Sequence, residues 1–231
     1  MNIAELPHAQ AVIVHDDLDG LSAVVAQRIA DLAARAIAER GLFHVALAGG
    51  ETPRNCYRKL RDLNLDWQHV HLYFGDERCL PSGNVQRNDS MVREALLEHI
   101  AIPQENIHSI PAELGASEAA NRYAVLMGNV VPLDLVLLGM GEDGHTASLF
   151  PGNAAIASAA TVVAVFGSPK PPAERVSLGL HTLNSARHKL FLVAGAGKRT
   201  ALKRILLGDD LPATRILDGE WHLDRAAIPL S

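Results

Sequence analysis

The sequence predicts an α/β fold in which one domain, residues 1–231, contains a mostly parallel sheet with helices on both faces. Three observations favour this class. Short apolar runs typical of buried strands alternate with segments whose apolar residues recur every three or four positions. Several of these runs end on glycines followed by charged residues. Hydrophobic residues make up 48% of the 231 residues, which is enough for a full core.

A long amphipathic helix at residues 16–40 dominates the first part of the chain. Its predicted apolar face consists of Leu21, Val24, Val25, Ile29, Leu32 and Ala36. Gly41 is typical of the residue that ends a helix. Strands are predicted on either side of this helix, at residues 11–15 and 43–48.

A second helix is predicted to open at Thr52 and to run to about residue 63. Threonine is a good N-cap, and Pro53 would occupy the first helical position, where its missing N–H costs nothing. The remaining elements predicted in the same way are strands at residues 70–74, 133–138, 161–166, 176–180 and 189–194, and helices at 90–99, 117–127 and 198–207.

Composition excludes several classes of function. A net charge of −5 argues against a nucleic-acid partner, because such proteins need a basic face. The two cysteines, Cys56 and Cys79, are too few for a disulfide framework, and no His-x-x-x-His or Cys-x-x-Cys pair predicts a metal site. Neither a signal peptide nor an apolar run of about 20 residues is present. We therefore expect a cytoplasmic protein without membrane contact or cofactor, as a monomer or small homo-oligomer.

Four polar loops follow the carboxyl ends of predicted strands. They are residues 49–53, 75–78, 139–145 and 195–198. The carboxyl ends of parallel strands share one edge of a sheet, which is where ligands bind in open α/β folds. We therefore expect the four loops to form one pocket.

The loop at residues 139–145 is the strongest candidate for chemistry. Its glycines match the spacing Gly-x-Gly-x-x-Gly, but no acidic residue lies between Gly144 and Ala173, and Pro151 prevents a helix of useful length. A nicotinamide site is therefore not predicted. His145 follows Asp143 and Gly144, and a neutral imidazole suits general-base work near pH 7.

The other loops carry groups suited to an anion. Lys198 opens a helix, where backbone amides and the helix dipole favour a phosphate, although a solvated lysine would look the same in sequence. The glycines Gly49 and Gly50 could bring backbone amides to a phosphate, or could form a simple turn before a helix. The run 76–78 places three charges at a strand end, which is either a surface cluster or part of the site.

The chain resembles the 6-phosphogluconolactonases over essentially its whole length. Residues 139–151, which read G-M-G-E-D-G-H-T-A-S-L-F-P, are similar to the family's longest motif. Further similarities occur in the same order along the chain, at residues 48–53, 75–78, Asn88, Pro172, 175–178 and 197–198.

The resemblance implies a Rossmann-like fold shared with glucosamine-6-phosphate deaminases and ribose-5-phosphate isomerases. It implies hydrolysis of 6-phospho-D-glucono-1,5-lactone, a small-molecule substrate, without metal or cofactor. His145 would be the general base on water. The implied substrate contacts are Arg78, Arg175, Lys198, Gly49, Gly50 and Thr52, and Gly144 is a candidate amide donor to the oxyanion. Either Asp143 or Asp76 would orient the imidazole or the water.

The chain departs from the family at two positions, and two rival functions remain to be compared. Glu51 and Arg87 stand where the family usually has serine. We expect the Glu51 side chain to turn away from the phosphate, toward solvent, Arg54 or Arg87. The related isomerases and deaminases usually have an Asn-Glu-Pro run where this chain reads Ser-Leu-Phe-Pro at residues 148–151, so their catalytic glutamate is missing. A non-catalytic sugar-phosphate sensor would need a DNA-binding module for which there is no spare length.

Overall fold

The computed structural model describes residues 2–230. The strands are β1 (Ala9–His15), β2 (Phe43–Leu47), β3 (Val70–Phe74), β4 (Asp76–Arg78), β5 (Leu135–Gly139), β6 (Val162–Val165), β7 (Arg175–Leu178), β8 (His188–Val193) and β9 (Gly219–Asp224). The α-helices are α1 (Leu18–Arg40), α2 (Glu51–Leu60), α3 (Asn88–Ala95), α4 (Ala116–Met127), α5 (Leu180–Ser185) and α6 (Arg199–Leu206).

The centre of the fold is a parallel sheet with the strand order β1-β9-β8-β5-β2-β3. Its inner strands β2, β5 and β8 are buried along nearly their whole length, as expected for strands covered on both faces. Each fully buried Leu, Val or Phe side chain contributes about 1.5–3 kcal/mol. The α/β class and the mostly parallel sheet are confirmed.

The order of the strands places the crevice of the fold. From β1 through β2 to β3 the chain moves toward one edge, whereas from β5 through β8 to β9 it moves toward the other. Because crossovers between parallel strands are right-handed, the two series carry their helices on opposite faces. The switch lies between the neighbouring strands β2 and β5, and ligands bind at such a point beyond the carboxyl ends of the strands.

A second, antiparallel sheet of β4, β7 and β6 was not predicted. Strand β4 pairs Asp76 with Ser177 and Arg78 with Arg175, so this sheet joins two segments that carry predicted site residues. The strand β9 at the end of the chain was also missed.

Two helix details differ from the prediction. Helix α2 begins at Glu51 with Gly50 as its N-cap, so Thr52 lies inside the first turn and is not the cap. The reason is the backbone of Gly50, whose φ of 107° suits glycine and ends the preceding loop two residues early. On α1, Val24 is 47% exposed rather than part of the core face. Gly41 ends α1 with φ 83°, as predicted.

None of the helices within residues 2–230 has the length and apolar content that a membrane crossing requires.

Candidate active site

A cavity of about 210 Å³ lies at the switch point. All four predicted loops contribute to it. The lining residues are Ala48, Gly49, Gly50, Asp76, Arg78, Asn88, Gly139, Met140, Gly141, His145, Ala147, Lys170, Arg175 and Lys198. The predicted convergence of the loops is therefore confirmed. A fifth contribution comes from Arg175 of β7 and from Lys170 in the loop that precedes it.

His145 lines the cavity, and Asp143, which is not a lining residue, is hydrogen-bonded to its imidazole. The Nδ1 of His145 lies 2.5 Å from Oδ1 of Asp143. Burial would raise the pKa of Asp143, but the hydrogen bond and the charge of His145 outweigh burial and hold that pKa well below its ordinary value. A carboxylate at Nδ1 fixes the tautomer in which Nδ1 carries the proton and Nε2 is free to accept one.

The backbone of the loop holds the imidazole in place. The amide of Gly141 donates to the carbonyl of His145 at 2.8 Å, and the hydroxyl of Thr146 donates to the carbonyl of Gly139 at 2.9 Å. A Cβ at Gly141 would overlap the His145 ring, so glycine is required there. On its other side, the imidazole packs against Phe150 with the ring centroids 4.5 Å apart.

Gly144 forms part of the turn and does not line the cavity. Its φ is 85°, its amide donates to the carbonyl of Gly141 at 3.0 Å, and a Cβ at this position would collide with Leu211. Because this amide already has an acceptor, it is not free to donate to an oxyanion. The geometry thus disagrees with the suggested donor role of Gly144.

Asp76 occupies a different place from Asp143. Its buried carboxylate accepts hydrogen bonds from Asn88 Nδ2 at 3.1 Å and from the hydroxyl of Ser148 at 2.5 Å. Of the two carboxylates that the sequence left open, Asp143 is the one bonded to the imidazole. Asp76 faces the cavity with both oxygens held by neutral donors.

Glu77 supports this wall from behind and was missed as a site residue. Its fully buried carboxylate accepts the amides of Arg78, Asn88 and Asp89 at 2.7–2.8 Å, which ties β4 to the start of α3. Burial raises the pKa of Glu77 to about 7, although these amides act in the opposite direction. The interpretation of residues 76–78 as a surface cluster is wrong for Asp76 and Glu77.

Arg87 stabilises the same wall of the cavity. The guanidinium is 2% exposed and forms ion pairs with Asp89 at 2.6 Å and Glu113 at 2.9 Å. It also donates to the carbonyl of Ile110 at 2.9 Å. Arg87 therefore does not reach Glu51, and this departure from the family pattern fills a buried position beside Asn88.

Four cationic side chains line the cavity. They are Arg78, Lys170, Arg175 and Lys198. Arg175 is fixed by the carbonyls of Lys170 and Pro171, to which its Nη2 donates at 3.1 and 3.2 Å. Burial lowers the pKa of Lys198, while the carboxylates of Glu142 and Asp143 act against that lowering. Lys170 was not predicted, because an exposed lysine in a proline-rich loop carries no distinguishing pattern.

The glycine loop after β2 borders the cavity through Gly49 and Gly50, at the amino end of the ten-residue helix α2. A Cβ at Gly49 would overlap the side-chain amide of Asn88. Ala48 is held by Tyr57 of α2, whose hydroxyl accepts its amide at 2.9 Å and donates to its carbonyl at 2.8 Å. Thr52 is not among the lining residues.

Glu51 points away from the cavity, as expected. Its carboxylate lies 3.5 Å from Nη1 of Arg54 and 3.3 Å from Nδ2 of Asn55, and its side chain is 67% exposed. Of the two basic neighbours considered, Arg54 is the partner and Arg87 is not.

Within residues 2–230, no three or more His, Cys, Asp or Glu side chains are arranged to hold a metal ion. Both cysteines are free thiols. Cys56 is buried and Cys79 half-buried.

The fold is a parallel α/β sheet with a crevice at its switch point, and the crevice holds a histidine oriented by a carboxylate and four cationic side chains. These features define a class of enzymes that act on phosphorylated small molecules. A family model described as "Glucosamine-6-phosphate isomerases/6-phosphogluconolactonase" matches residues 16–223. The chain belongs to this family.

Three known proteins illustrate the similarity. A 6-phosphogluconolactonase of Synechocystis is 38% identical over 209 residues, which cover 84% of this chain and 86% of that protein. The solved structure of a 6-phosphogluconolactonase from Thermotoga maritima has a TM-score of 0.86 and 29% identity, covering 93% of this chain and 99% of the other. A monomeric glucosamine-6-phosphate deaminase has a TM-score of 0.81 and 24% identity over 94% and 98% of the two chains, a likeness of fold alone.

Proposed function

We propose that this protein hydrolyses 6-phospho-D-glucono-1,5-lactone to 6-phosphogluconate. The observation that carries the proposal is His145, which lines a cavity with four cationic lining residues and is hydrogen-bonded to Asp143. The names of the similar proteins support the same substrate.

His145 acts as the general base in this proposal. Its Nε2 takes a proton from water as the water oxygen bonds to C1 of the lactone. When the tetrahedral intermediate collapses, the bond between C1 and the ring oxygen breaks, and the proton on Nε2 passes to that oxygen. A lactone is already a reactive ester, so orienting one water and one base is sufficient chemistry.

Asp143 contributes by holding the imidazole and by its charge. Because its pKa lies below its ordinary value, the carboxylate stays ionised at neutral pH. A negative charge at Nδ1 stabilises the imidazolium that forms when Nε2 accepts the proton.

The phosphate is proposed to lie among the cations and the glycine loop. Arg78 and Lys198 line the cavity. Gly49 and Gly50, at the amino end of α2, border the same cavity. Anions are favoured at a helix amino terminus, and arginine and lysine add charge-assisted hydrogen bonds. Arg175, anchored by backbone carbonyls and stacked 5.5 Å from the Phe150 centroid, is proposed as a second anion contact.

The alternative activity, isomerisation or deamination of a sugar phosphate, has weaker support in this chain. The segment that lacks the Asn-Glu-Pro run, residues 148–151, contains Ser148, Leu149 and Phe150, whose side chains are all buried. Ser148 donates to Asp76, so this segment supplies no carboxylate.

The proposal is tested by measuring 6-phosphogluconate formation from freshly prepared lactone, with spontaneous hydrolysis subtracted. Ammonia release from glucosamine 6-phosphate is followed in parallel. We expect enzyme-dependent turnover of the lactone only. Ammonia release without lactone hydrolysis would instead assign the deaminase activity and overturn the proposal.

A further inference from the structure

Asp224, the last residue of β9, is a buried carboxylate that the mechanism above does not use. It is 5% exposed, and no cation among residues 2–230 lies within ion-pairing distance of it. A buried charge is costly unless hydrogen bonds compensate it. Its partners are two backbone amides, those of Gly195 and Ala227.

The bond to Gly195 connects Asp224 to the loop that carries Lys198. Both carboxylate oxygens accept the Gly195 amide, at 3.0 and 3.1 Å. The carbonyl of Gly195 in turn accepts the amide of Lys198 at 3.1 Å, which closes the turn. Two hydrogen bonds therefore lead from the buried carboxylate to the backbone of a lysine whose side chain lines the cavity.

Other contacts limit how far this loop can move. Arg199 Nε donates to the carbonyl of Ala226 at 2.8 Å, a second link between the loop and the segment after β9. On the cavity side, the Cα of Gly197 abuts Glu142, because a Cβ there would lie 2.8 Å from Glu142 Oε1. The ammonium of Lys198 has no hydrogen-bond or ion-pair partner among residues 2–230. Only the longer-range attraction of Glu142 and Asp143 acts on it, so the backbone that carries the side chain has a large share in its position.

We propose that Asp224 is a positioning residue. It fixes the Gly195–Lys198 turn relative to the cavity and thereby places the Lys198 ammonium against the phosphate of the substrate. The inference rests on the proposed function, since it takes Lys198 as a phosphate contact. Asp224 does not touch the reacting atoms, and its effect passes through substrate affinity.

The test compares Asp224→Asn, Lys198→Met and the double variant on the phosphorylated lactone and on unphosphorylated gluconolactone. Asparagine keeps the shape and one acceptor oxygen but loses the charge-assisted bond, so we expect KM for the phosphorylated lactone to rise about five- to tenfold. We expect kcat to change less than about twofold, and the unphosphorylated lactone to be unaffected. In the Lys198→Met background, Asp224→Asn should add less than about twofold, because residues that act through one another are not additive.

Asp134→Asn is the matched control. Asp134 is similarly buried, at 4% exposed, and also accepts a backbone amide, that of His44 at 2.9 Å. Unlike Asp224 it is ion-paired, with Arg40 at 2.9 Å, and it lies at the amino ends of the strands, away from the cavity. We expect this variant to lower Tm without changing the ratio of the two KM values.

Independent effects of Asp224→Asn and Lys198→Met, or equal losses on both lactones, would overturn the inference. If Asp224→Asn does not fold, Gly195→Ala perturbs the same turn, because φ at Gly195 is 91° and a Cβ there meets no atom within 4 Å. Unchanged KM in Gly195→Ala would then count against the inference. A normal KM in Lys198→Met alone would instead refute the proposed phosphate site, and absence of lactone turnover by the wild type would refute the proposed activity.

Discussion

Glu51 shows how a single charged residue can stand beside an anion site without opposing it. Its carboxylate is directed at Arg54 and Asn55 and is mostly solvated, so solvent screens it from the cavity. We therefore expect Glu51→Ser to change KM for the phosphorylated lactone less than about threefold, well below the ~1.4 kcal/mol of a tenfold shift. Steady-state kinetics check this prediction, with Arg58→Ser, on the same helix, as a surface control. A tenfold or larger fall in KM would show that Glu51 faces the phosphate.

At the scale of single residues, sequence reasoning placed His145, Arg78 and Lys198 at the cavity because each follows a strand. It could not choose between Asp143 and Asp76. That choice depends on the left-handed turn at Gly144, which folds Asp143 back onto the imidazole. Nor could it identify Glu77, since a buried carboxylate that binds three amides has the same sequence pattern as a surface charge.

At the scale of elements, a cluster of histidines at the amino ends of β2 and β3 predicts a pH-dependent stability. His71 Nδ1 lies 3.0 Å from His108 Nε2, and the rings of His44 and His71 are 5.1 Å apart. Burial lowers the pKa of all three rings, and their mutual repulsion lowers those of His44 and His108 further.

The sign of the effect follows from proton uptake. The unfolded chain binds protons below the ordinary histidine pKa of about 6.5, while the folded cluster stays neutral to lower pH. The free energy of unfolding should therefore fall on acidification from pH 7.5 to 5.5, and a loss of about 1 kcal/mol would lower Tm by roughly 2–4 °C. We expect His71→Gln to reduce this loss and His181→Gln, at an exposed position, to leave it unchanged. An identical pH slope in His71→Gln and wild type would contradict the prediction.

The elements that sequence predicted best are those with strong local patterns, such as α1 and the buried strands. Helix α2 was placed two residues late because the conformation of Gly50, rather than the capping ability of Thr52, determines where the helix starts. The sheet of β4, β7 and β6 was missed because β4 has only three residues and pairs with a strand about a hundred positions away. Such pairing leaves no periodicity within either segment.

At the scale of the whole molecule, the cavity joins loops from both halves of the parallel sheet and from the antiparallel sheet. A ligand bound there should stabilise these loops together, by the linkage between binding and local opening. We expect 6-phosphogluconate to slow amide hydrogen exchange in residues 48–52, 139–147 and 195–198, and to leave the histidine cluster at the opposite edge unchanged. Protection limited to one of these loops would show that the cavity does not act as a single site.

The most direct test of the central claim is the turnover of fresh 6-phosphogluconolactone by His145→Ala, with spontaneous hydrolysis subtracted and His181→Ala as control. Loss of the general base should lower kcat by roughly 10²–10⁴-fold. KM should change little, because the cations and the glycine loop remain in place. Turnover by His145→Ala equal to that of the wild type would remove His145 from the mechanism and contradict the account.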